Sequence, residues 1–528
     1  MAASRRQNHH DQPLPNSCHS KKYSHQAGTK DAVCYQLLAL ISIYKFLVSF
    51  RAFVVNAPMR HQRSLFAKIR ERAFAPVDIA SIVFFRVAFG LVMVAEVVLM
   101  RNQIATYWIQ PRFLFKYYGF SWVHLWPGNG VYIHWTVFGV LAAFIAAGFL
   151  YRISAVLFFL SCSYFFLLDE GRYVNHTYLM CLFGFLLIFI PAHRAFSVDA
   201  WLRPKLRSQT APAWALWLLR AQMAVVYFFA GIAKVSPDWL HGEPMRAWLT
   251  HIIHSPLIDR FSHYRWTPYL ASYAALLLDL LAAPLLLWRR TRLATFSLVV
   301  FFHILNEQFF PIGVFPWLAI AGTTTFLSPS WPRRIMSLVR PTAALLSIKK
   351  VAPLPHKKQI LVFSFVATYV AIQILVPLAH FFYPGGIEWT YAEHHFAWQM
   401  MVRRKSTTAF FYVTDPNNGE TYQVKPRDYL DPRQIARMGW RPDMVQQFAR
   451  YLTTVMLRAG PEPLKVQVRM FVSINGRKPQ LVFDPNVDLA AEPHVWGRPR
   501  WLLQIHGPLP PVGQDFTQNL FVTSSEGD

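Results

Sequence analysis

Apolar segments separated by short polar or basic loops fill residues 77–382. Segments of this length and composition are typical of helices that cross a lipid bilayer. Because only Pro311 separates the seventh segment from the eighth, these two are also consistent with a broken pair of helices buried in protein. The pattern predicts about nine transmembrane helices, at residues 77–99, 131–150, 153–168, 178–191, 213–233, 269–288, 293–310, 312–327 and 360–382.

Residues 384–528 follow a different pattern. A turn signal, DPNNG at 415–419, separates two short alternating segments, and Asn475-Gly476 favours a type I′ turn after a third. We predict strands at 408–414, 420–424, 465–474 and 480–483, and a helix at 443–457. This part of the chain therefore predicts a β-rich extramembrane domain.

The predicted fold class is mainly α: a polytopic transmembrane bundle of about nine spans at residues 77–383, followed by the β-rich domain at 384–528. Residues 1–76 form a basic N-terminal tail. Within the tail, residues 33–55 are largely apolar, and three interpretations stay open. They are a signal anchor, a cleaved signal peptide, or a start assigned too early with Met59 as the true start, which we slightly prefer.

Clusters of lysine and arginine orient the bundle. They precede the first predicted span and follow the fourth, the sixth and the eighth. With nine crossings all of these clusters lie on one side, which the positive-inside bias makes the cytoplasmic side. The C-terminal domain then lies outside the cytoplasm, in the periplasm if the source is bacterial.

The composition agrees with a membrane protein. Of 528 residues, 54% are hydrophobic and only 15% are charged, below the quarter that is typical of soluble proteins. The net charge of +26 raises the question of a nucleic-acid partner, but the basic residues lie in loops between apolar segments, and we predict none. The four cysteines have no CxxC or zinc-site spacing, and no metal site is predicted.

One lysine ends an apolar segment. Residues 223–233 carry no charge and lead to Lys234, after which Pro237 and Trp239 predict a turn at the membrane surface. Such a lysine can extend its ammonium group to water while its stem stays in lipid. Alternatively, the aromatic side chains at 227–229 desolvate the amine, favour its neutral form and make it a base.

Other polar residues also interrupt the apolar segments. Taken alone, His176, His303 and His380 are most simply helix-capping or core histidines, and Asp279 is an ion-pairing or anchoring residue. The aromatic loop at 101–130 has two interpretations that stay open. It is either a belt at the membrane surface or a lid over a lipid-soluble ligand.

The segment YFFAGIAKVSPDWL, residues 227–240, resembles the active-site stretch of the vitamin K-dependent gamma-carboxylase family. That family shares the HTTM (horizontally transferred transmembrane) domain with bacterial relatives, and we expect a bacterial homologue. The resemblance covers roughly residues 77–500. In the family, the lysine at the position of Lys234 is the base that deprotonates vitamin K hydroquinone.

The resemblance implies further site residues. The pair Asn175-His176 matches a family pair near the lysine, so we expect His176 to act with Lys234 in catalysis. It implies that four residues bind the cofactor: Asn175, His303, Asn306 and His380.

Residues 388–401 resemble the family stretch that binds the glutamate substrate, which implies Trp389, Glu393 and Trp398 as substrate-binding residues. Glu393 departs from the family pattern, in which this position is apolar, and the cysteines of the animal enzyme's disulfide are missing. Both departures concern the peptide half of the reaction more than the quinol half.

The resemblance implies a membrane-embedded quinol-dependent carboxylase and epoxidase. It would use reduced vitamin K or menaquinol as co-substrate, with O2 and CO2, to carboxylate glutamyl residues of a peptide or protein, and it would need no metal. Membrane lipid is the other expected partner. Two alternatives stay open: quinol epoxidation without peptide carboxylation, and a non-catalytic membrane protein that binds a quinone or a lipid.

Overall fold

The computed structural model describes residues 59–251, 259–261, 264–339, 355–379, 395–456, 462–495, 499–503, 507–511 and 516. All of them belong to one compact unit, Ala57–Asp528. The apolar segment at 33–55 lies outside the described residues, so its three interpretations stay predictions.

Helices dominate the first two thirds of the chain, as the long apolar segments predict. They are α1 (Met59–Phe74), α2 (Ala80–Met100), α3 (Gly130–Ala147), α4 (Tyr151–Leu168), α5 (Asn175–Phe189), α6 (Val198–Leu202), α7 (Ala213–Ala233), α8 (Pro237–Leu240), α9 (Met245–His251), α10 (Thr267–Leu287), α11 (Arg292–Phe309), α12 (Phe315–Thr323), α13 (Trp331–Val339) and α14 (His356–Leu378). Two short strands, β1 (Pro76–Asp78) and β2 (Thr210–Pro212), pair antiparallel directly before α2 and α7.

Six helices among the described residues are long and apolar enough to cross a membrane: α2 with the turn after it, α3, α4, α7, α10 and α14. The predicted fold class, an integral membrane helical protein with a strand-containing C-terminal region, is confirmed, whereas the count of nine spans is not. The other three predicted spans correspond to helices that are shorter or more polar. α5 has 15 residues, and α11 carries Arg292 and Glu307.

The seventh and eighth predicted spans form a broken pair around Pro311. α11 ends at Phe309 and α12 begins at Phe315, and α12 has only 9 residues. At 1.5 Å per residue α12 is about 14 Å long, whereas the hydrocarbon core is about 30 Å thick. α12 therefore does not cross a bilayer by itself; most of its residues are buried in the bundle.

A glycine lets two helices approach closely beside Lys234. A Cβ atom on Gly231 of α7 would lie 2.8 Å from the backbone nitrogen of Leu280 in α10. That distance is shorter than any ordinary contact, so a larger residue would push the two helices apart. Gly231 lies three residues before Lys234, and Leu280 directly follows Asp279. The close crossing therefore brings the side chains of Lys234 and Asp279 within reach of each other.

The C-terminal domain contains a four-stranded antiparallel sheet in the order β4-β3-β5-β6. Its elements are β3 (Lys405–Thr414), β4 (Thr421–Val424), α15 (Pro432–Met438), α16 (Pro442–Val455), β5 (Lys465–Ile474) and β6 (Gln480–Leu481). The predicted strands and helix are all present. Asn475 and Gly476 have φ of 50° and 77°, which is the left-handed backbone that a type I′ turn needs.

The aromatic loop at 101–130 packs partly under this domain. Phe115 is buried in the core of the C-terminal domain, and the ring of Phe113 lies 4.5 Å from that of Tyr451. Trp122 and Trp126 are exposed. None of the loop's residues lines the cavity described below, so the lid interpretation finds no support.

Candidate active site

A cavity of about 420 Å³ lies where the helical bundle meets the C-terminal domain. Its wall combines apolar and aromatic side chains with a small number of polar ones, as is typical of small-molecule sites. The polar residues of the wall are Asn175, His176, Lys234, Asp279, His303, Asn306, Gln399, Arg403 and Arg437. The bundle supplies the first six and the C-terminal part supplies the last three.

Lys234 follows the last residue of α7 and is only 6% exposed. Its Nζ donates a hydrogen bond to Oδ2 of Asp279 at 2.7 Å and another to the carbonyl oxygen of Ala230 at 3.2 Å. It also lies 5.4 Å from the centre of the Trp239 ring. The ion pairing that we predicted as one role for Asp279 is confirmed, and its partner is Lys234.

The surroundings of Lys234 differ from the prediction that the aromatic side chains at 227–229 enclose its amine. Phe228 is 41% exposed and faces away from the cavity wall, to which Tyr227 contributes and Phe228 does not. The prediction was wrong for Phe228 because three consecutive helical residues cannot share one face. The buried amine of Lys234 is therefore paired with a carboxylate and is not surrounded by aromatic side chains alone.

The ion pair lies well inside the bundle. Asp279 follows the first residue of α10 by twelve positions, which corresponds to about 18 Å along the helix. The predicted surface turn after Lys234 is the short helix α8, and Nε1 of Trp239 in it donates to the carbonyl oxygen of Ser272 at 2.8 Å. This turn runs alongside α10 and does not extend past its end.

His303 and Asn306 lie one turn apart on α11 and both line the cavity. His303 is 2% exposed, and its Nε2 lies 3.1 Å from the hydroxyl oxygen of Tyr227. The hydroxyl of Tyr227 in turn lies 2.7 Å from that of Thr323. Both side chains predicted to bind the cofactor are thus in the wall that holds Lys234.

Asn175 and His176 begin α5 at the same cavity. The amide group of Asn175 accepts a hydrogen bond from the hydroxyl of Tyr173 at 3.1 Å and donates to the carbonyl oxygen of Gln399 at 3.2 Å. Asn175 therefore positions the segment beside it, while His176 is available to a ligand. Among the described residues, no hydrogen-bond partner approaches the ring of His176, whose closest ring neighbour is Phe315 at 6.1 Å.

Residues 395–403 form a strap over the cavity. Phe396, Trp398 and Met401 have φ of 63°, 56° and 49°, a left-handed backbone that costs free energy for non-glycine residues and is often found at functional sites. Trp398 is 0% exposed, stacks near Tyr178 and does not line the cavity. Trp398 therefore packs beside the cavity and not in its wall, and its predicted role in binding the substrate stays a prediction.

Three other residues predicted from the resemblance lie outside the described residues: His380, Trp389 and Glu393. Their roles stay predictions. Arg403 and Arg437 place two cationic side chains in the wall near the strap, and neither was predicted as a site residue. Arg403 donates to Oε1 of Gln399 at 3.3 Å, and Arg437 lies over the ring of Trp440. Neither arginine belongs to an apolar segment, so no local signal distinguished them.

Buried carboxylates join the C-terminal domain to the turn between α4 and α5. Asp169 accepts hydrogen bonds from Gln434 and from the backbone of Phe115, both at 3.0 Å, and burial raises its pKa to about 6. Burial also raises the pKa of Glu170 to about 7, although Arg441 donates to it at 2.8 Å. This turn leads directly into Asn175 and His176, so domain docking fixes their position.

A second link between the C-terminal domain and the bundle holds the segment that follows Lys234. It consists of Asp238 with Arg477 and Asn475, and we call it the clasp. Asp238 accepts two hydrogen bonds from Arg477, at 2.6 and 2.7 Å, and one from Asn475 at 2.7 Å. Burial by itself would raise the pKa of Asp238, but the hydrogen bonds and charge of Arg477 outweigh burial and lower it. The turn at 474–477 therefore binds the chain at Asp238, four residues after the candidate base Lys234.

Replacing Asp238 by asparagine is expected to lower the stability of the protein by about 1.5–3 kcal/mol, since Arg477 loses its charged acceptor. Because the pKa of Asp238 is lowered, its contribution is present above its ordinary pKa of 3.8 and is lost as the pH falls through the lowered value. The thermal unfolding midpoint in detergent at pH 7 measures the loss. Arg333→Gln breaks the more exposed pair with Asp78 and serves as the control; equal midpoints for the two variants would contradict the clasp.

Comparison with known families matches both parts of the chain. Residues 74–331 match the HTTM domain, and residues 358–507 match the vitamin K-dependent gamma-carboxylase lumenal domain. No solved structure matches the chain. The two matches account for most of the sequence, lie in the expected order, and meet at the cavity that holds Lys234. The chain therefore belongs to the vitamin K-dependent gamma-carboxylase family.

Proposed function

We propose that the protein is a membrane-embedded carboxylase that couples oxidation of a quinol to carboxylation of glutamyl residues, with Lys234 in the role of the quinol base. The observation that carries the proposal is the buried Lys234–Asp279 ion pair in a cavity that His176, His303 and Asn306 also line. A vitamin K-dependent carboxylase-like function follows from the family. The coupled epoxidation, the use of menaquinol as well as vitamin K, and a periplasmic location of the outer domain are parts of the proposal.

The residues of the cavity fit a naphthohydroquinone. The volume of about 420 Å³ accommodates a bicyclic aromatic head group, and Tyr227, Trp239, Trp248 and Phe315 offer aromatic surface for it. Nδ1 of His303 is buried and lacks a hydrogen-bond partner among the described residues, as expected of a group that binds a ligand. When bound, such a quinol supplies an acidic hydroxyl and, with O2, the strong base that a glutamyl γ-proton requires.

Lys234 and Asp279 act as one base. With the shared proton on Nζ the pair is an ammonium and a carboxylate; with the proton on the carboxyl it is an amine and an acid. One further proton gives the same result from either form, namely an ammonium beside a carboxylic acid. Nζ passes the shared proton to Oδ2 of Asp279 and takes the proton of the ligand hydroxyl on the lone pair that this frees. Lys234 therefore need not be neutral at rest, and this modifies the neutral-amine prediction.

Exclusion of water supports this chemistry. Lys234, His303 and Asp279 are all buried, and Trp239 covers the ammonium group. In such surroundings a fixed hydrogen bond or charge acts more strongly than in water, and a reactive ligand is protected from solvent. We assign His176, on the same wall, to hydrogen-bond the reacting oxygen, with Asn175 holding the strap next to it.

In this proposal the glutamyl peptide reaches the cavity from the side of the strap. Arg403 and Arg437 line the cavity where the C-terminal domain contributes to it. Two cationic side chains suit the carboxylate of a glutamyl residue, and guanidinium groups bind carboxylates with directional hydrogen bonds. We propose that these arginines, and not the buried Trp398, hold the substrate carboxylate.

The proposal is tested with purified protein, reduced vitamin K or menaquinol, O2, labelled CO2 and a glutamyl peptide. Label should enter the peptide only when the quinol is present, and epoxide should form in parallel. Epoxide without labelled peptide would favour the quinol epoxidase alternative. If neither product forms, the non-catalytic quinone- or lipid-binding alternative replaces the proposal.

A further inference from the structure

Three buried side chains from three helices form a hydrogen-bonded row that ends at the cavity. Thr323 on α12 donates its hydroxyl hydrogen to the carbonyl oxygen of Ala319 at 2.7 Å. Tyr227 on α7 contacts Oγ1 of Thr323 at 2.7 Å and Nε2 of His303 on α11 at 3.1 Å. The row therefore runs from a backbone carbonyl to the imidazole of His303.

The direction of each hydrogen bond in the row follows from counting hydrogens. A carbonyl oxygen only accepts, so the single hydroxyl hydrogen of Thr323 is used on Ala319. At its contact with Tyr227, Thr323 must then accept, and Tyr227 uses its own single hydrogen there. Towards His303, the oxygen of Tyr227 can only accept, so Nε2 of His303 carries a hydrogen.

The tautomer of His303 follows. His303 is 2% exposed and makes no ion pair with a carboxylate among the described residues, so we treat its ring as neutral, since a buried charge without a counterion is costly. A neutral imidazole that carries its hydrogen on Nε2 has a bare lone pair on Nδ1. That atom is buried and has no hydrogen-bond partner in the described part of the chain, while the residue itself forms part of the cavity wall.

We propose that His303 distinguishes the reduced ligand from its oxidised forms, with Tyr227 and Thr323 as the positioning residues that fix the tautomer of His303. Nδ1 accepts a hydrogen bond from a hydroxyl group of the reduced form. The oxidised quinone and the epoxide offer only acceptor oxygens at the corresponding positions, so either would leave two lone pairs facing each other. This inference rests on the proposed function, because it takes the cavity to be the quinol site.

The physical consequence is selectivity for the reduced form before any chemistry occurs. A buried polar group left without its partner costs about 1–3 kcal/mol, which corresponds to roughly 10–100-fold in affinity. Product release would benefit from the same mismatch, since the epoxide no longer carries the donor that Nδ1 requires. This selectivity does not depend on charge, because all three side chains of the row are neutral.

The test measures binding without turnover. Purified protein is titrated under argon with a short-chain menaquinol and, separately, with the matching menaquinone, and quenching of the fluorescence of Trp239 and Trp248 in the cavity wall reports binding. The wild type should bind the reduced form about 10–100-fold more tightly. Equal affinities of the wild type for the two forms would overturn the inference.

Thr323→Val provides the decisive variant. Valine has no acceptor, so Tyr227 becomes free to donate to Nε2, the hydrogen of His303 moves to Nδ1, and the preference for the reduced form should disappear or invert. Thr325→Val is the matched control, because Thr325 is equally buried and its hydroxyl donates at 2.6 Å to a backbone carbonyl, that of Gly322, without contacting Tyr227.

The remaining outcomes separate the inference from the proposed function. If Thr323→Val keeps the wild-type preference, or if Thr325→Val loses it equally, the row does not set selectivity and the inference fails while the quinol site stands. If the wild type binds neither form, the cavity is not a quinol site, and the inference falls together with the proposed function.

Discussion

Replacing Lys234 by alanine is expected to lower the rate of quinol epoxidation by about 10²–10⁴-fold, the usual cost of losing a general base. Without the amine, the Lys234–Asp279 pair can no longer hold the additional proton as an ammonium group. The measurement is epoxide formed per folded molecule. A small primary amine such as methylamine, supplied at high concentration, should restore part of the rate if it enters the cavity.

Lys234→Arg separates charge from basicity. Arginine retains a cation for Asp279, but a guanidinium stays protonated and has no lone pair to offer. The arginine variant is therefore expected to be about as inactive as the alanine variant. An active arginine variant would end the assignment of Lys234 as the base.

Stability must be followed together with rate, because the alanine substitution leaves Asp279 buried without its partner. Breaking a buried ion pair in this way typically costs about 3–5 kcal/mol. The double variant Lys234→Ala, Asp279→Ala removes both charges and should regain much of that stability while staying inactive. Recovery of activity in the double variant would show that the loss in the single variant came from misfolding.

Replacing Asp279 by asparagine is expected to lower the rate by about 10²-fold, because Nζ of Lys234 loses the anchor that positions it and small displacements of a catalytic group are costly. The pH profile should also change. The lysine alone must lose a proton to solvent before it can accept another, so the residual rate of the variant should rise with pH more steeply than that of the wild type.

Glu307→Gln is the matched control for this carboxylate-to-amide change. Glu307 lies on α11, contacts Nε1 of Trp317 at 2.9 Å and does not line the cavity. Its rate and pH profile should equal those of the wild type. If Asp279→Asn behaves like Glu307→Gln, the ion pair is structural and Asp279 plays no part in the base.

Local patterns predicted much of the architecture. Strand 465–474 was predicted with the bounds that the structure gives it, because alternation and the Asn475-Gly476 turn both define its end. The number of spans was less predictable. An apolar segment such as 312–327 indicates burial, but burial in protein and burial in lipid leave the same composition, and α12 is buried in protein.

Polar residues in apolar surroundings marked candidate positions, but only the family resemblance assigned them to one site. Lys234, His176, His303 and Asn306 fall into this class, and the structure brings all four to one cavity. The pairing of Lys234 with Asp279 was not predictable, since it depends on how closely α7 and α10 cross at Gly231. Arg403 and Arg437 were missed because arginines outside apolar segments are common and the fold alone brings these two together.

The wall of the cavity comes from both the helical bundle and the C-terminal domain, and this has a consequence for the kind of catalyst the protein can be. A quinol with a hydrocarbon tail dissolves in the bilayer, whereas a glutamyl peptide dissolves in water, and the two rarely meet in either solvent. Under the proposed function, a chamber built from both parts lets each reactant arrive from its own phase. The protein would then be a phase-transfer catalyst, with a turnover that depends on how each reactant partitions as well as on how it reacts.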